Sequence, residues 1–295
     1  MTMAVPAKDR VQPDSLEDRY AQVVERVAQA ARRAGRPASD VLLVAVTKNA
    51  HSDQIRKLVE LGHRDLGENR VQALLQHQAI VEEYLTRLRV HSTASRVRRH
   101  DADALFSPRS RVDLAPIKGA DDGAGPVRWH MIGHLQRNKA KKIVDLVRLV
   151  HSVDSLRLAE ELQGIALRRD QTVEVLIEVN CSGEASKQGC PVPAAIPLAE
   201  QIETMVNVKV RGLMTMAPYS TNPEDARGTF ARCRELFEEM RTRCFADGKF
   251  NILSMGMSGD FEVAISEGAN IVRVGSAIFG QPLGVEPGLD EDEDD

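Results

Sequence analysis

VLLVAVTKNA, residues 41–50, is an unbroken run of aliphatic, small and β-branched residues that ends in a lysine. A continuous apolar run of this length reads as a strand of a parallel sheet, buried on both faces. The polar stretch Asn49-Ala50-His51-Ser52-Asp53 then supplies a turn, with Ser52 or Asp53 placed to cap a following helix. Lys48 therefore falls at the carboxyl end of a buried strand, where parallel α/β folds place their ligands. Partial desolvation there would favour the neutral amine, which attacks aldehydes. The plainer alternative is a lysine that extends from the strand end into water.

Upstream of this strand, Ser15 opens a helical pattern with Leu16, Tyr20, Val23, Val24, Val27 and Ala28 on one stripe, closed near Gly35-Arg36-Pro37. Residues 1–13 are expected to be disordered. Downstream, Ile55, Leu58, Val59 and Leu61 mark a helix stopped by Gly62, residues 63–69 a short strand and its loop, and 70–88 an amphipathic helix. From 89 to 127 the periodicity fails in a mixture of Arg, Ser, Ala and Asp, expected to be a surface insertion. Its arginines would be the only candidates for an RNA or acidic partner, but their mixture with Asp reads as a solvated loop.

Beyond it, strands are predicted at 128–136, 149–155, 173–180, 208–216, 251–257 and 270–280. Helices are predicted at 138–147, 156–169, 194–206, Pro223 to Phe245 and 261–268. Eight strands, nearly all followed by helices, predict a single α/β domain over 14–280, a (β/α)8 TIM barrel with its site at the strand carboxyl ends. An open doubly wound sheet is the competing topology, but no glycine fingerprint follows the first strand. The acidic tail, 281–295, is expected to be disordered.

The 295 residues carry a net charge of −4, part of it from the DEDEDD terminus, so no global basic field recruits nucleic acid or anionic membrane. Cys181, Cys190, Cys233 and Cys244 have neither CxxC spacing nor paired histidines, which argues against a zinc site and for reduced thiols. The amino terminus lacks an apolar signal core, and no run approaches the roughly 18 apolar residues of a membrane span. A cytoplasmic location is expected.

Read at the strand ends alone, the chain presents Lys48, Glu68 and Asn69, His130 and His134, Asp154, Asn180 and Ser182, and Thr215. Met255-Gly256-Met257-Ser258-Gly259-Asp260 follows strand seven, and Arg273-Val274-Gly275-Ser276 ends strand eight. Ser258 and Gly259 precede a helix, where free backbone N–H groups attract anions, and Gly275 and Ser276 add donors without side-chain obstruction. Phosphate sites at strands seven and eight are common in this barrel. A lysine for an aldehyde opposite a phosphate cradle suggests pyridoxal 5′-phosphate, with Arg273 facing its pyridine nitrogen or its phosphate. An arginine at that nitrogen keeps it unprotonated, because arginine holds its own proton, and this weakens carbanion chemistry.

The blocks AVTKNA, GENRVQ, WHMIGHLQRNKAKKI, HSVDS, IEVNCSGEASKQG, RGLMTMAP and LSMGMSGDFEVAISEGANIVRVGSAIFG, in this order, closely resemble the pyridoxal phosphate homeostasis protein family. The resemblance covers 14–88 and 128–280 and implies the barrel domain of alanine racemase standing alone. It makes Lys48 the lysine of a covalent internal aldimine, Ser258, Gly259, Gly275 and Ser276 phosphate contacts, Arg273 the arginine near the ring nitrogen, and Asn69 a neighbour of the cofactor. It implies a protein that buffers or delivers the cofactor to pyridoxal-phosphate-dependent apo-enzymes, without strong turnover of its own, and influences amino-acid balance. The enzyme alternative, an amino-acid racemase using Lys48, needs a second acid or base, which alanine racemase takes from a separate β-domain. This sequence ends soon after strand eight, so none is expected here, and a monomer is the default.

Overall fold

The computed structural model describes residues 15–93, 125–184, 187–243 and 245–280. Its strands are β1 (Leu42–Val46), β2 (Asp65–Glu68), β3 (Arg128–Met131), β4 (Val147–Val153), β5 (Val173–Asn180), β6 (Cys190–Pro191), β7 (Val208–Met214), β8 (Ile252–Ser254) and β9 (Ile271–Val274). All pair in parallel, in the order β1-β2-β3-β4-β5-β7-β8-β9, and β9 returns to β1, so among the described residues eight strands close a barrel. The helices are α1 (Leu16–Arg33), α2 (Ser52–Glu60), α3 (Val71–Thr93), α4 (Arg137–Ala140), α5 (Leu156–Arg168), α6 (Val192–Glu203), α7 (Arg227–Arg241), the short turn α8 (Phe245–Gly248), α9 (Phe261–Ser266) and α10 (Ser276–Phe279). The predicted (β/α)8 class is therefore the observed one.

The boundaries differ where local chemistry overrides pattern. His51, not Ser52 or Asp53, is the residue before α2, and Gln54 Oε1 accepts its backbone N–H at 3.0 Å. The last apolar run is not one strand: β9 stops at Val274, and the N–H groups of Ile278 and Phe279 both reach the carbonyl of Gly275, winding α10. Of the helix predicted at 138–147 only the stretch to Ala140 forms, as part of α4 (Arg137–Ala140); a series of turns continues from it. Strand β6, a two-residue ladder on the end of β5, lies in a stretch read as plain loop, because two residues carry no periodicity. Helix α3 runs on to Thr93, past the predicted end at 88, and residues 94–124 of the expected insertion lie outside the described residues, as do the expected disordered termini.

The interior is layered. Val44, Leu149, Leu176, Met214, Ile252 and Ile271 pack as one buried apolar cluster separate from the core between strands and helices. Two residues further along four of these strands, on the same face, stand His151, Glu178, Ser254 and Arg273, all buried. An apolar floor thus supports a polar layer one step closer to the carboxyl mouth. Below the floor, buried Glu174 pairs with Arg211 and, at 3.0 Å, with Arg148. Removing one member of a buried ion pair strands the other charge at a cost of about 3–5 kcal/mol. Glu174→Ala should therefore lower unfolding free energy by about that amount in urea titration; a loss below about 1 kcal/mol would show the arginines to be solvated.

Candidate functional site

At the carboxyl end of β1 the backbone N–H of Thr47 donates to the carbonyl of Gly67 at 2.9 Å, and its hydroxyl donates to Glu68. Glu68, fully buried, also binds His77 Nδ1 of α3 at 2.7 Å, so three elements clamp the turn that begins at Thr47. The N–H of Ala50 closes that turn on the carbonyl of Thr47 at 2.9 Å. Lys48 is the next residue and is exposed. The desolvation expected of it is absent: Thr47 takes the buried position after Val46, which leaves Lys48 on the solvent side of the turn.

Because β1 lies between β2 and β9, and β9 beside β8, Lys48 has Asn69 on one flank and the loops of Ser258 and Gly275 on the other. Asn69 is half-buried, its backbone pressed against the loop after β3 so closely that a Cβ on Gly133 would lie 2.3 Å from its carbonyl oxygen. On the other flank, Ser258 Oγ accepts the backbone N–H groups of Gly275 at 3.2 Å and Ala277 at 3.3 Å. Among the described residues, the N–H groups of Gly259 and Ser276 have no internal acceptor, and a Cβ on Gly259 would enter open space. The turn therefore retains free donors beside an open approach, as an anion cradle requires. A Cβ on Gly275 would meet Val46 at 3.2 Å from its carbonyl oxygen, so the missing side chain also permits close packing on β1.

Arg273 points into the barrel. Its Nη1 donates to Ser254 Oγ at 2.7 Å and its Nη2 to the carbonyl of Thr215 at 3.0 Å. Burial pulls its proton affinity down to a pKa of about 10, against the pull of Glu178 and Asp260, so the guanidinium stays charged at neutral pH. Glu178 was not among the residues singled out at the strand ends. Burial, then the charge of Asp154, pushes its carboxyl up to about 7, with Arg273 opposing. A signal for it existed: Glu174, Glu178 and Asn180 recur at even spacing on one face of the otherwise apolar VEVLIEVN. Ser254 and His151 went unread because a serine or histidine inside an apolar run carries no mark of what lies across a barrel. His134 and Asp154 stand 3.7 Å apart near the mouth. Cys181, Cys190 and Cys233 are free buried thiols, and the described residues hold no cluster of three His, Cys, Asp or Glu suited to a metal ion.

The parallel barrel thus presents Lys48 and the turns of Ser258 and Gly275 at one mouth, with Arg273 buried inside it. The sequence matches the family described as alanine racemase, N-terminal domain, over residues 20–282. An alanine racemase from Clostridium difficile shares the fold, with a TM-score of 0.59 at 11% identity over 91% of this chain and 57% of that one. The pyridoxal phosphate homeostasis protein of Aquifex aeolicus is 36% identical over 90% of this chain and 97% of its own length. That of Pseudomonas aeruginosa is 33% identical over 90% and 95%. PipY of Synechococcus elongatus, solved with PLP bound, superposes with a TM-score of 0.64 at 30% identity, covering 88% of this chain and all of that one (100%). The chain belongs to the pyridoxal phosphate homeostasis protein family.

Two outcomes follow from this geometry. Gly275→Val should cost about 1–3 kcal/mol of stability by crowding β1, read as a lowered denaturation midpoint without any ligand; an unchanged midpoint would return the glycine to a ligand-facing role. For Glu178, the folded carboxyl keeps its proton to about pH 7 while the unfolded one releases it near the usual 4.5. Its contribution to stability is thus present below the unfolded value and is lost as pH rises through that window, by up to about 3 kcal/mol. Glu178→Gln should flatten stability against pH between 5 and 7 and gain most at pH 8; the same slope in both proteins would place the titration elsewhere.

Proposed function

We propose that this protein binds pyridoxal 5′-phosphate at the barrel mouth and serves its homeostasis, holding and releasing the cofactor rather than turning over a substrate. The observation that carries this reading is the placement of complementary groups on four neighbouring strand ends. Asn69, Lys48, the Gly275-Ser276 turn and the Ser258-Gly259 turn follow β2, β1, β9 and β8 in spatial order. The donor set fits the group: free N–H groups at Gly259 and Ser276 with the Ser258 hydroxyl suit a phosphate, and an exposed lysine amine suits an aldehyde. When bound, the cofactor supplies an aldehyde carbon for covalent capture by an amine and a conjugated ring that absorbs visible light.

In this reading Lys48 Nζ forms the covalent link, and its exposure leaves it open to exchange with a competing amine. Ser258, Gly259 and Ser276 anchor the phosphate, Gly275 shapes the turn, and Asn69 flanks the ring. Arg273, a permanent donor, holds a proton of its own beside the ring nitrogen and gives none away. A racemase would need a second acid or base. Of the three tyrosines, Tyr20 bonds His63 Nδ1 at 3.2 Å and Tyr84 bonds Glu60 at 2.6 Å. Tyr219 is 80% exposed, so none is buried beside Lys48. In this reading the protein is a cytoplasmic, monomeric carrier that serves apo-enzymes. No helix among the described residues is long and apolar enough to cross a membrane.

Mixing the protein with pyridoxal phosphate, reducing with borohydride and mapping the adduct by peptide mass should place it on Lys48; an adduct retained by Lys48→Ala would move the covalent role to another lysine. Ser258→Ala should weaken retention about tenfold to a hundredfold, as loss of a hydrogen bond to a charged group does, with the fold intact. Pyridoxal, which lacks the phosphate, should bind far more weakly than pyridoxal phosphate. Equal affinity for the two would remove the cradle from the site. Sustained racemisation or transamination on the order of one turnover per second would replace the carrier by an enzyme.

A further inference from the structure

Four hydrogen bonds in series cross the inside of the barrel. Arg273 Nη1 reaches Ser254 Oγ at 2.7 Å, and Ser254 Oγ lies 3.0 Å from His151 Nδ1. His151 Nε2 lies 3.0 Å from His130 Nδ1, and His130 Nε2 lies 3.2 Å from Asp65 Oδ1. The series climbs from β2 and β3 through β4 and passes to β8 and β9, so it spans strands that do not pair with each other. Every member is buried: Asp65 is 4% exposed, His130 1%, Arg273 3%, and His151 and Ser254 0%. Arg128 grips the far end, with Nε on Asp65 Oδ1 at 2.7 Å and Nη2 on Oδ2 at 2.5 Å.

The chemistry of the two ends dictates the order of protons between them. Burial alone would raise the Asp65 carboxyl, but the hydrogen bonds from Arg128 and His130 hold it well below the usual carboxylate range. It can therefore only accept, and His130 Nε2 must carry a proton. At the other end arginine can only donate, so Ser254 Oγ accepts from it. The Ser254 hydroxyl then turns its own proton to its other neighbour, His151 Nδ1. His151 must carry its proton on Nε2, and His130 Nδ1 receives it. The opposite order would leave the Ser254 proton without an acceptor in a buried site, which is costly. Burial, together with the positive Arg273, presses His151 toward its neutral form, in agreement.

We propose that Asp65, His130, His151 and Ser254 form a one-directional hydrogen-bonded strut that positions Arg273 in the cofactor cavity from the opposite end of the barrel. The strut rests on the proposed cofactor site only for its use, since its protons are ordered whether or not a ligand is present. These four are positioning residues: none is proposed to touch the cofactor. The strut carries no proton onward, because arginine yields none. What it conveys is orientation and polarisation, so a change of charge at Asp65 reaches Arg273 through the three groups between them. Glu178 and Asp260 act on Arg273 from β5 and from the loop after β8, and Arg128 on Asp65 from β3.

Long-range 15N NMR of the ligand-free protein at pH 7.5 tests the order of protons. His130 and His151 should both appear as neutral Nε2–H tautomers. A cationic His130, or His151 protonated on Nδ1, would overturn the strut. In Asp65→Asn the amide oxygen at the Oδ1 position still accepts from both Arg128 Nε and His130 Nε2, so the charge is lost while both rings keep the Nε2–H tautomer; a switch at His151 would also overturn it. Pyridoxal phosphate affinity provides the second arm. Asp65→Asn and Ser254→Ala should each weaken it about tenfold, and the double variant about tenfold as well, because linked residues are not additive. Losses that multiply to about a hundredfold would show two independent effects. Should the wild type bind no pyridoxal phosphate, the proposed function fails, and the NMR result alone still decides the strut. Should Asp65→Asn not fold, the wild-type tautomers and the spectrum of Ser254→Ala, in which His151 should retain its Nε2 proton, decide it.

Discussion

A guanidinium in the middle of a barrel must be given partners, and the upper interior of this barrel is built around that requirement. Desolvating a charge without compensation costs several kcal/mol, yet Arg273 is 3% exposed. It is met by Ser254, by the carbonyl of Thr215, and by the charges of Glu178 and Asp260. Those contacts come from β5, β7, β8 and the loop beyond it. All lie on or just after the strands that follow β9 in the sheet order, β8, β7 and β5, whose curvature brings their inner faces within reach of one guanidinium. The apolar floor of Val44, Leu149, Leu176, Met214, Ile252 and Ile271 keeps water from entering below. The polar layer above it is consequently both well bonded and sensitive to substitution.

Division of labour around the mouth follows from the same geometry. The β1 end is rigid, since Thr47 is tied to Gly67 and Glu68 and Glu68 to His77, while the lysine that follows stands in solvent. The turn after β8 is open at Gly259, and Gly275 packs against Val46 of β1.

Family membership is consistent with this physical account without replacing it. The likeness to the alanine racemase barrel establishes the fold, and the curated relatives extend over nearly all of both chains. Residues that hold Arg273 from behind, however, are visible only as a hydrogen-bond series in three dimensions.

The sequence by itself determined the class of fold and which residues stand at its strand ends. Period-two and unbroken apolar runs separated by helical stripes are local signals, and VEVLIEVN emerged as β5 over its full length, Val173–Asn180. The placement of Lys48, Asn69, Ser258, Gly259, Arg273, Gly275 and Ser276 at or near strand ends was legible because residues at carboxyl ends of parallel strands converge whatever the loops do. Short-range competition escaped the pattern: α10 inside an apolar run, β6 inside a loop, and His51 rather than Ser52 before α2. Tertiary structure alone decided three matters. Lys48 is exposed because Thr47 fills the last buried position. Gly275 is needed by Val46, a residue more than two hundred positions earlier. Asp65, His130, His151, Ser254 and Arg273 form one series because barrel closure sets the distance between strands, and no periodicity along the chain encodes a distance across a ring.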